Sequence, residues 1–245
     1  MKRVLIVGGA NGIGLSLSKV LSSSEKTERV YIVDKAPLDP QYAEEKINSF
    51  EFDLLSKDYS IFDQFTDIDG LIITAGFGRL ALFENVPEEM IATYFNVNTI
   101  AVIRVIKHFY NKLLSDKSFS CCVMVSIAGF MSSPFFSLYG ATKAALKIFI
   151  ESVNVELEKA GTSNRILNVS PGSMKGTSFN QGVTDISLLN DLTLQILTHM
   201  EQKDDLFIPQ YEVYKVVLER YHADFRKEGL HSYEYKQNRL LQDKL

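Results

Sequence analysis

Short apolar runs alternate along the chain with longer stretches whose apolar residues recur every three or four positions. The first run, Arg3-Val4-Leu5-Ile6-Val7, is rich in β-branched residues and ends at Gly8-Gly9-Ala10-Asn11-Gly12-Ile13-Gly14. A helical period starts at Leu15 and continues to Leu21. Further strands are predicted over 29–33, closed by Asp34; 49–52, ending at Asp53-Leu54; 69–74, ending at Ala75-Gly76; 120–126; and 165–169, running into Pro171-Gly172. Helical patterns fall between them at 41–47, 87–114 and 137–160, then within 178–205 and over 209–221. Apolar–polar alternation over 229–235 predicts an edge strand. Strands alternating with helices imply βαβ units, and right-handed crossovers put helices on both faces of a parallel sheet. The expectation is an α/β, Rossmann-type doubly wound sheet in one domain spanning 1–245.

The glycines are spaced G-x-x-x-G-x-G, after a strand and before a helix. Such a turn aims backbone N–H groups and the positive end of a helix dipole at one spot, suited to a pyrophosphate. Gly8, Gly12 and Gly14 are the positions where a side chain would obstruct it. Asp34 closes the second strand about twenty residues on, where a carboxylate can accept from a ribose 2′-OH and repels a 2′-phosphate. This favours NAD over NADP, although the neighbouring Lys35 could tolerate a phosphate. A plain turn residue is the other reading of Asp34.

Asn98 interrupts an apolar stripe of Ile91, Phe95, Val102, Ile106 and Phe109. A buried amide must be satisfied. It either bonds a neighbouring strand or disturbs the helix and holds a water. Tyr139 and Lys143 stand four apart at the start of the helix over 137–160, on one helix face, where an ammonium could lower a tyrosine pKa. The same spacing recurs at Tyr31/Lys35, Tyr42/Lys46 and Tyr211/Lys215. Tyr139 alone has a strand-end serine, Ser126, thirteen residues upstream. Tyr31 and Lys35 span a strand end, where four residues cover about 13 Å; the serine upstream of them, Ser18, falls inside a helix.

Composition narrows the class. With 245 residues, 46% hydrophobic, and no Pro/Gly/Ser-rich linker, one large domain fits. A net charge of −4 gives no reason to expect nucleic acid or an anionic membrane. No run reaches transmembrane length, and the first residues lead straight into a strand without a signal-peptide pattern. The two cysteines, Cys121 and Cys122, are adjacent in an apolar run, which predicts buried thiols and a cytoplasmic protein. No spacing suggests a metal site.

Together these motifs resemble the classical short-chain dehydrogenase/reductase family over about residues 1–177. The resemblance rests on Gly8-x-x-x-Gly12-Ile13-Gly14, Asp34, Asp53-Leu54, Ala75-Gly76, Asn98, Ser126-Ile127-Ala128-Gly129, Tyr139-x-x-x-Lys143 and Pro171-Gly172. It implies an oxidoreductase interconverting an alcohol and a carbonyl with NAD. Tyr139 would be the general acid/base. Lys143 would lower its pKa and hold the nicotinamide ribose, Ser126 would polarise the substrate oxygen, and Asn98 would hold a relay water. Asp53 and Leu54 would flank the adenine. The turn after Pro171-Gly172, with Met174 and Thr177, would meet the carboxamide. Asn11 is neutral where NADP-preferring relatives often carry a base. The resemblance also implies homodimers or homotetramers through the helices over 87–114 and 137–160.

Three departures stand out. Val7 and Thr74 replace a usual threonine and asparagine, which is expected to weaken one tie between strands. Gly176 takes a position where a threonine often bonds the cofactor, with Thr177 next. Residues 178–245 diverge; in the family an insertion such as 178–205 covers the substrate, and plain packing is the other reading of its apolar stripe. The divergence leaves room for a second reading, a catalytically weak dinucleotide-binding regulatory module. An epimerase or dehydratase of sugar nucleotides is a third, which the short substrate region disfavours.

Overall fold

The computed structural model describes residues 1–242, apart from the side chains of Gln181 and 239–242. Seven parallel strands form one sheet in the order β3-β2-β1-β4-β5-β6-β7. They are β1 (Arg3–Val7), β2 (Arg29–Asp34), β3 (Ile47–Glu51), β4 (Gly70–Ile73), β5 (Ser120–Met124), β6 (Ile166–Val169) and β7 (Leu206–Phe207). The order reverses at β1, which pairs with β2 on one side and β4 on the other. This opens a crevice at the carboxyl ends of those strands, where open α/β sheets bind ligands.

Alternate strand residues feed two cores. On one face Leu5, Val7, Leu71, Ile73 and Cys121 pack beneath α3 (Ala101–His108) and α5 (Ser137–Lys159). On the other, Val4, Ile6, Ile72 and Cys122 pack beneath α1 (Gly12–Ser22) and α6 (Asn190–Gln202). Helices thus cover both faces of a single Rossmann-like domain.

The helix expected over 87–114 is broken. α2 (Glu88–Phe95) leads into a π-turn at Asn96–Ile100, followed by α3 and a short α4 (Tyr110–Leu113). The Asn98 side chain bonds the Phe77 backbone at both ends, accepting from its N–H at 2.9 Å and donating to its C=O at 2.8 Å. Anchored there, the helix takes in an extra residue and its apolar stripe rotates. Ile91 ends up 37% exposed, whereas Val102 and Ile106 remain buried. The expected helix over 41–47 shrinks to one tight turn at Pro40–Tyr42.

The tail corrects the sequence reading more strongly. Residues 229–235 form no strand; they lie inside α8 (Phe225–Gln242), which pairs with α7 (Tyr211–Ala223). Asp224 caps α8, its Oδ1 accepting from the N–H groups of Arg226 and Lys227 at 3.0 Å each. Gly229, Tyr233 and Lys236 fall on one helical face against residues 132–136. A Glu228–Arg220 ion pair ties the two helices together.

Thr74 also differs from expectation. Its hydroxyl donates to the Gly8 carbonyl at 2.8 Å, so the tie between β4 and the β1 turn is kept.

Candidate active site

β1 ends in a turn that leaves no room for a side chain at Gly8 or Gly14. Gly8 has φ +93°, and a Cβ there would meet the Ala75 nitrogen at 2.4 Å. A Cβ on Gly14 would lie 2.2 Å from the Gly8 carbonyl oxygen. Gly12, with φ +50°, opens α1 and Ile13 follows it, while Asn11 is exposed. The bare turn at the N-terminus of an eleven-residue helix fits a dinucleotide pyrophosphate. The Gly12 N–H already points at an oxygen, the Thr184 hydroxyl 3.3 Å away.

At the end of β2, Asp34 accepts from the Ala10 N–H (2.9 Å) and the Ala36 N–H (3.0 Å), one at each carboxylate oxygen. Lys35 is paired with Asp53 at 2.8 Å. The hydrogen bond from Lys35 is the main cause holding the Asp53 carboxyl below its usual range. Leu54 is half-buried against the core, its carbonyl accepting from the Tyr59 hydroxyl.

The second cluster forms around Gly76, just past β4. A methyl placed on Gly76 would lie 3.2 Å from Asn98 Oδ1 and 3.3 Å from Lys143 Nζ. Both amide hydrogens of Asn98 are engaged, on Phe77 O and on Thr142 Oγ1 at 3.3 Å. Lys143 is 3% exposed and gives one of its three N–H groups to the Met124 carbonyl at 2.9 Å. Its Nζ lies 5.7 Å from the centre of the Tyr139 ring. Ser126 is buried and faces Pro171, with Oγ 3.4 Å from the Pro171 carbonyl. Tyr139, Ser126, Lys143 and Asn98 thus come together at the carboxyl ends of β4 and β5, as the sequence predicts.

The proton affinities differ from the simple expectation. Burial pushes the Tyr139 phenol up to about 12, opposed by the Ser126 hydroxyl. Burial brings the Lys143 ammonium down to about 8. In this structure Lys143 is not the group that depresses Tyr139.

The turn after β6 bears on both halves. Gly172 sits against the Tyr214 hydroxyl of α7, and a Cβ there would overlap it. Met174 packs on the α1/α6 core, and its carbonyl accepts from the Thr177 hydroxyl at 3.2 Å. Thr177 lies over Gly12. The sequence reading missed Phe179 and Thr184. The Phe179 ring stands 5.0 Å from the Tyr139 ring, and the Thr184 hydroxyl accepts from the glycine turn at Gly12. Neither belongs to a motif, and only the folded path of residues 173–189 brings them over the site.

The family model for short chain dehydrogenases matches residues 2–186, three quarters of the chain. This chain is a member of the short-chain dehydrogenase family. As a short-chain dehydrogenase it is an oxidoreductase. It is 25% identical over 219 residues to an uncharacterized oxidoreductase of Saccharomyces cerevisiae, covering 80% of this chain and 70% of the yeast protein. A short chain dehydrogenase from Burkholderia cenocepacia, solved with NADP, superposes with a TM-score of 0.76. It shares 18% identity, with 95% of this chain and 99% of that one covered. A bulky-bulky ketone specific alcohol dehydrogenase from Comamonas testosteroni gives a TM-score of 0.71 at 21% identity, with 91% and 94% covered. At these identities both solved structures are similar in fold. Among the described residues no group of His, Cys, Asp or Glu is placed to hold a metal, and no helix is long and apolar enough to cross a membrane.

Proposed function

We propose that this short-chain dehydrogenase interconverts an alcohol and a carbonyl, with Tyr139 exchanging the hydroxyl proton. The observation that carries this is the convergence of Asn98 and Lys143 on the bare Gly76, with Tyr139 and Ser126 beside them. A nicotinamide dinucleotide bound along the β1 turn supplies the hydride donor or acceptor. Ser126 Oγ holds the substrate oxygen, and the phenol of Tyr139 gives or takes its proton. The N–H groups left free on Lys143 hold the ribose. The Pro171-Gly172 turn, Met174 and Thr177 face the carboxamide, and the Asn98 π-turn holds the relay water. A positioned acid or base is worth about 10² to 10⁴ in rate. Tyr139→Phe is therefore expected to lower turnover by at least about a hundredfold, with the dinucleotide dissociation constant unchanged within threefold. A variant that turns over at near-normal rate sinks the mechanism.

Asp34 supports NAD as the preferred cofactor. Its carboxylate stands at the end of β2 on the Ala10 and Ala36 N–H groups, where it would repel a 2′-phosphate, and Lys35 is paired with Asp53. The Burkholderia relative holds NADP, so the two cofactors need direct comparison. NADH is expected to bind at least tenfold more tightly than NADPH, and Asp34→Ala to erase the difference. Equal binding of both by the parent protein would overturn the preference. We place the protein in the cytoplasm on the strength of its buried free thiols. Exposed Ile148 and Val155 on α5, with Ile91 and Ile100 beside the π-turn, support pairing of two copies through these helices.

A further inference from the structure

The wall that faces Tyr139 is made of aromatic rings. Phe136 lies 5.5 Å from Tyr139 and 5.8 Å from Phe179, centre to centre, and Phe179 lies 5.0 Å from Tyr139. The three rings are tilted to one another by 33° to 55°. Gly78 is the floor beneath two of them, since a Cβ there would come within 2.6 Å of Phe179 and 2.9 Å of Tyr139. Beside that floor Phe77 packs on Tyr94 at 4.5 Å.

Three polar groups beside this wall are engaged within the protein. The Tyr94 hydroxyl accepts from the Arg79 N–H at 3.1 Å. Asn180 Oδ1 accepts from the Leu80 N–H at 3.0 Å. Lys236 reaches over Phe136 from α8, but its ammonium donates to Ser133 Oγ at 2.7 Å and to the Pro134 carbonyl at 2.9 Å. The three rings themselves present no charged group to a phosphate or a carboxylate.

Phe179 is the most exposed of the three rings. It sits on the irregular segment between β6 and α6, is 36% exposed, and precedes Asn180 in left-handed backbone. The wall behind it is fixed. Phe135 is held in the left-handed region at φ +65°, its carbonyl accepting from Ala81 and its ring against Tyr233 of α8. Strain of this kind persists only where the surroundings enforce it.

We infer that the substrate is an uncharged carbonyl or alcohol bearing an aromatic ring next to the reacting carbon, and that its ring takes the place of Phe179 against Tyr139 and Phe136. This rests on the reading of Tyr139 and Ser126 as the groups that hold the substrate oxygen. The Phe179 ring is the tethered occupant that shows what the wall accepts. Ring pairs at these spacings gain over equal apolar bulk.

The test is binding without turnover. Acetophenone, cyclohexyl methyl ketone, butanone and fructose 6-phosphate are titrated into the protein saturated with oxidised dinucleotide, with which a ketone does not react. Affinity is read by calorimetry or saturation-transfer NMR. Acetophenone is expected to bind at least tenfold more tightly than butanone and about threefold more tightly than the cyclohexyl ketone. Phe179→Ala is expected to tighten acetophenone at least threefold, because the tethered ring no longer competes. Phe136→Leu, which keeps apolar bulk, is expected to weaken acetophenone and leave the cyclohexyl ketone unchanged. Thermal melts of both variants establish that they fold. Butanone or fructose 6-phosphate binding as tightly as acetophenone overturns the inference. So does Phe179→Ala leaving acetophenone unchanged or weaker, or no saturable binding of acetophenone at all. Because nothing is turned over, loss of the aromatic preference is distinguishable from failure of the Tyr139 mechanism, which the Tyr139→Phe kinetics decide.

Discussion

Lys143 shows how one buried side chain couples the site to the stability of the whole protein. Its folded pKa of about 8 lies below the ordinary 10.5 because burial disfavours the ammonium. The unfolded chain therefore binds the proton more readily. Lys143's contribution to stability is complete above 10.5 and is lost as pH falls towards 8, below which the folded state carries a buried charge. The total is roughly 3 kcal/mol. Lys143→Met removes the titration, so the variant should gain stability relative to the parent as pH falls from 10.5 to 7. Urea unfolding across that range checks it, and midpoints that move in parallel would show that Lys143 does not titrate there. The same buried setting keeps Tyr139 protonated at neutral pH, the form that the proposed donation to a carbonyl oxygen requires.

Elements differ in how plainly the sequence announces them. β1, β2 and β4 to β6 are short apolar runs ended by Gly, Asp, Ser or Pro, and the glycine turn carries its own steric reason. α5 is one unbroken period from Ser137 to Lys159. Asn98 was visible as a polar residue in an apolar stripe, but the π-turn depends on Phe77, twenty-one residues away. β7 has only two residues and takes its register from Asn168 and Val169. The tail misled for a clear reason. Its apolar residues alternate locally, while its contacts fall at 229, 233 and 236, a helical period seen only once 132–136 is in place. Asp224 was the overlooked start signal. Asp224→Ala should cost about 1 kcal/mol and loosen α8 first. Hydrogen exchange is expected to rise in 225–238 while the sheet stays protected; uniform exchange with the parent would show that the cap is idle.

At the scale of the molecule, apolar residues remain exposed on α5 and at the π-turn. Ile148 is 58% and Val155 68% exposed on α5, and Ile100 is 48% exposed at the π-turn. Paired copies would bury them. Ile148→Glu with Val155→Glu is expected to halve the mass measured by light scattering, with the melting temperature of the dilute protein little changed; a parent protein that is already monomeric at tens of micromolar refutes the pairing. The Tyr139–Lys143 pair of the proposed site lies on the same helix, so dissociation should also reduce activity. Within the sheet, β5 places its two thiols in opposite layers: Cys121 in the core under α3 and α5, Cys122 in the core under α1 and α6. Both are fully buried, and burial pushes their thiols upward, Cys121 to about 12. Alkylating reagents therefore reach neither until its own layer lifts. Two neighbouring residues on one strand thus serve as separate clocks, one for each side of the sheet, and mass spectrometry of a labelling time course reads which side comes apart first.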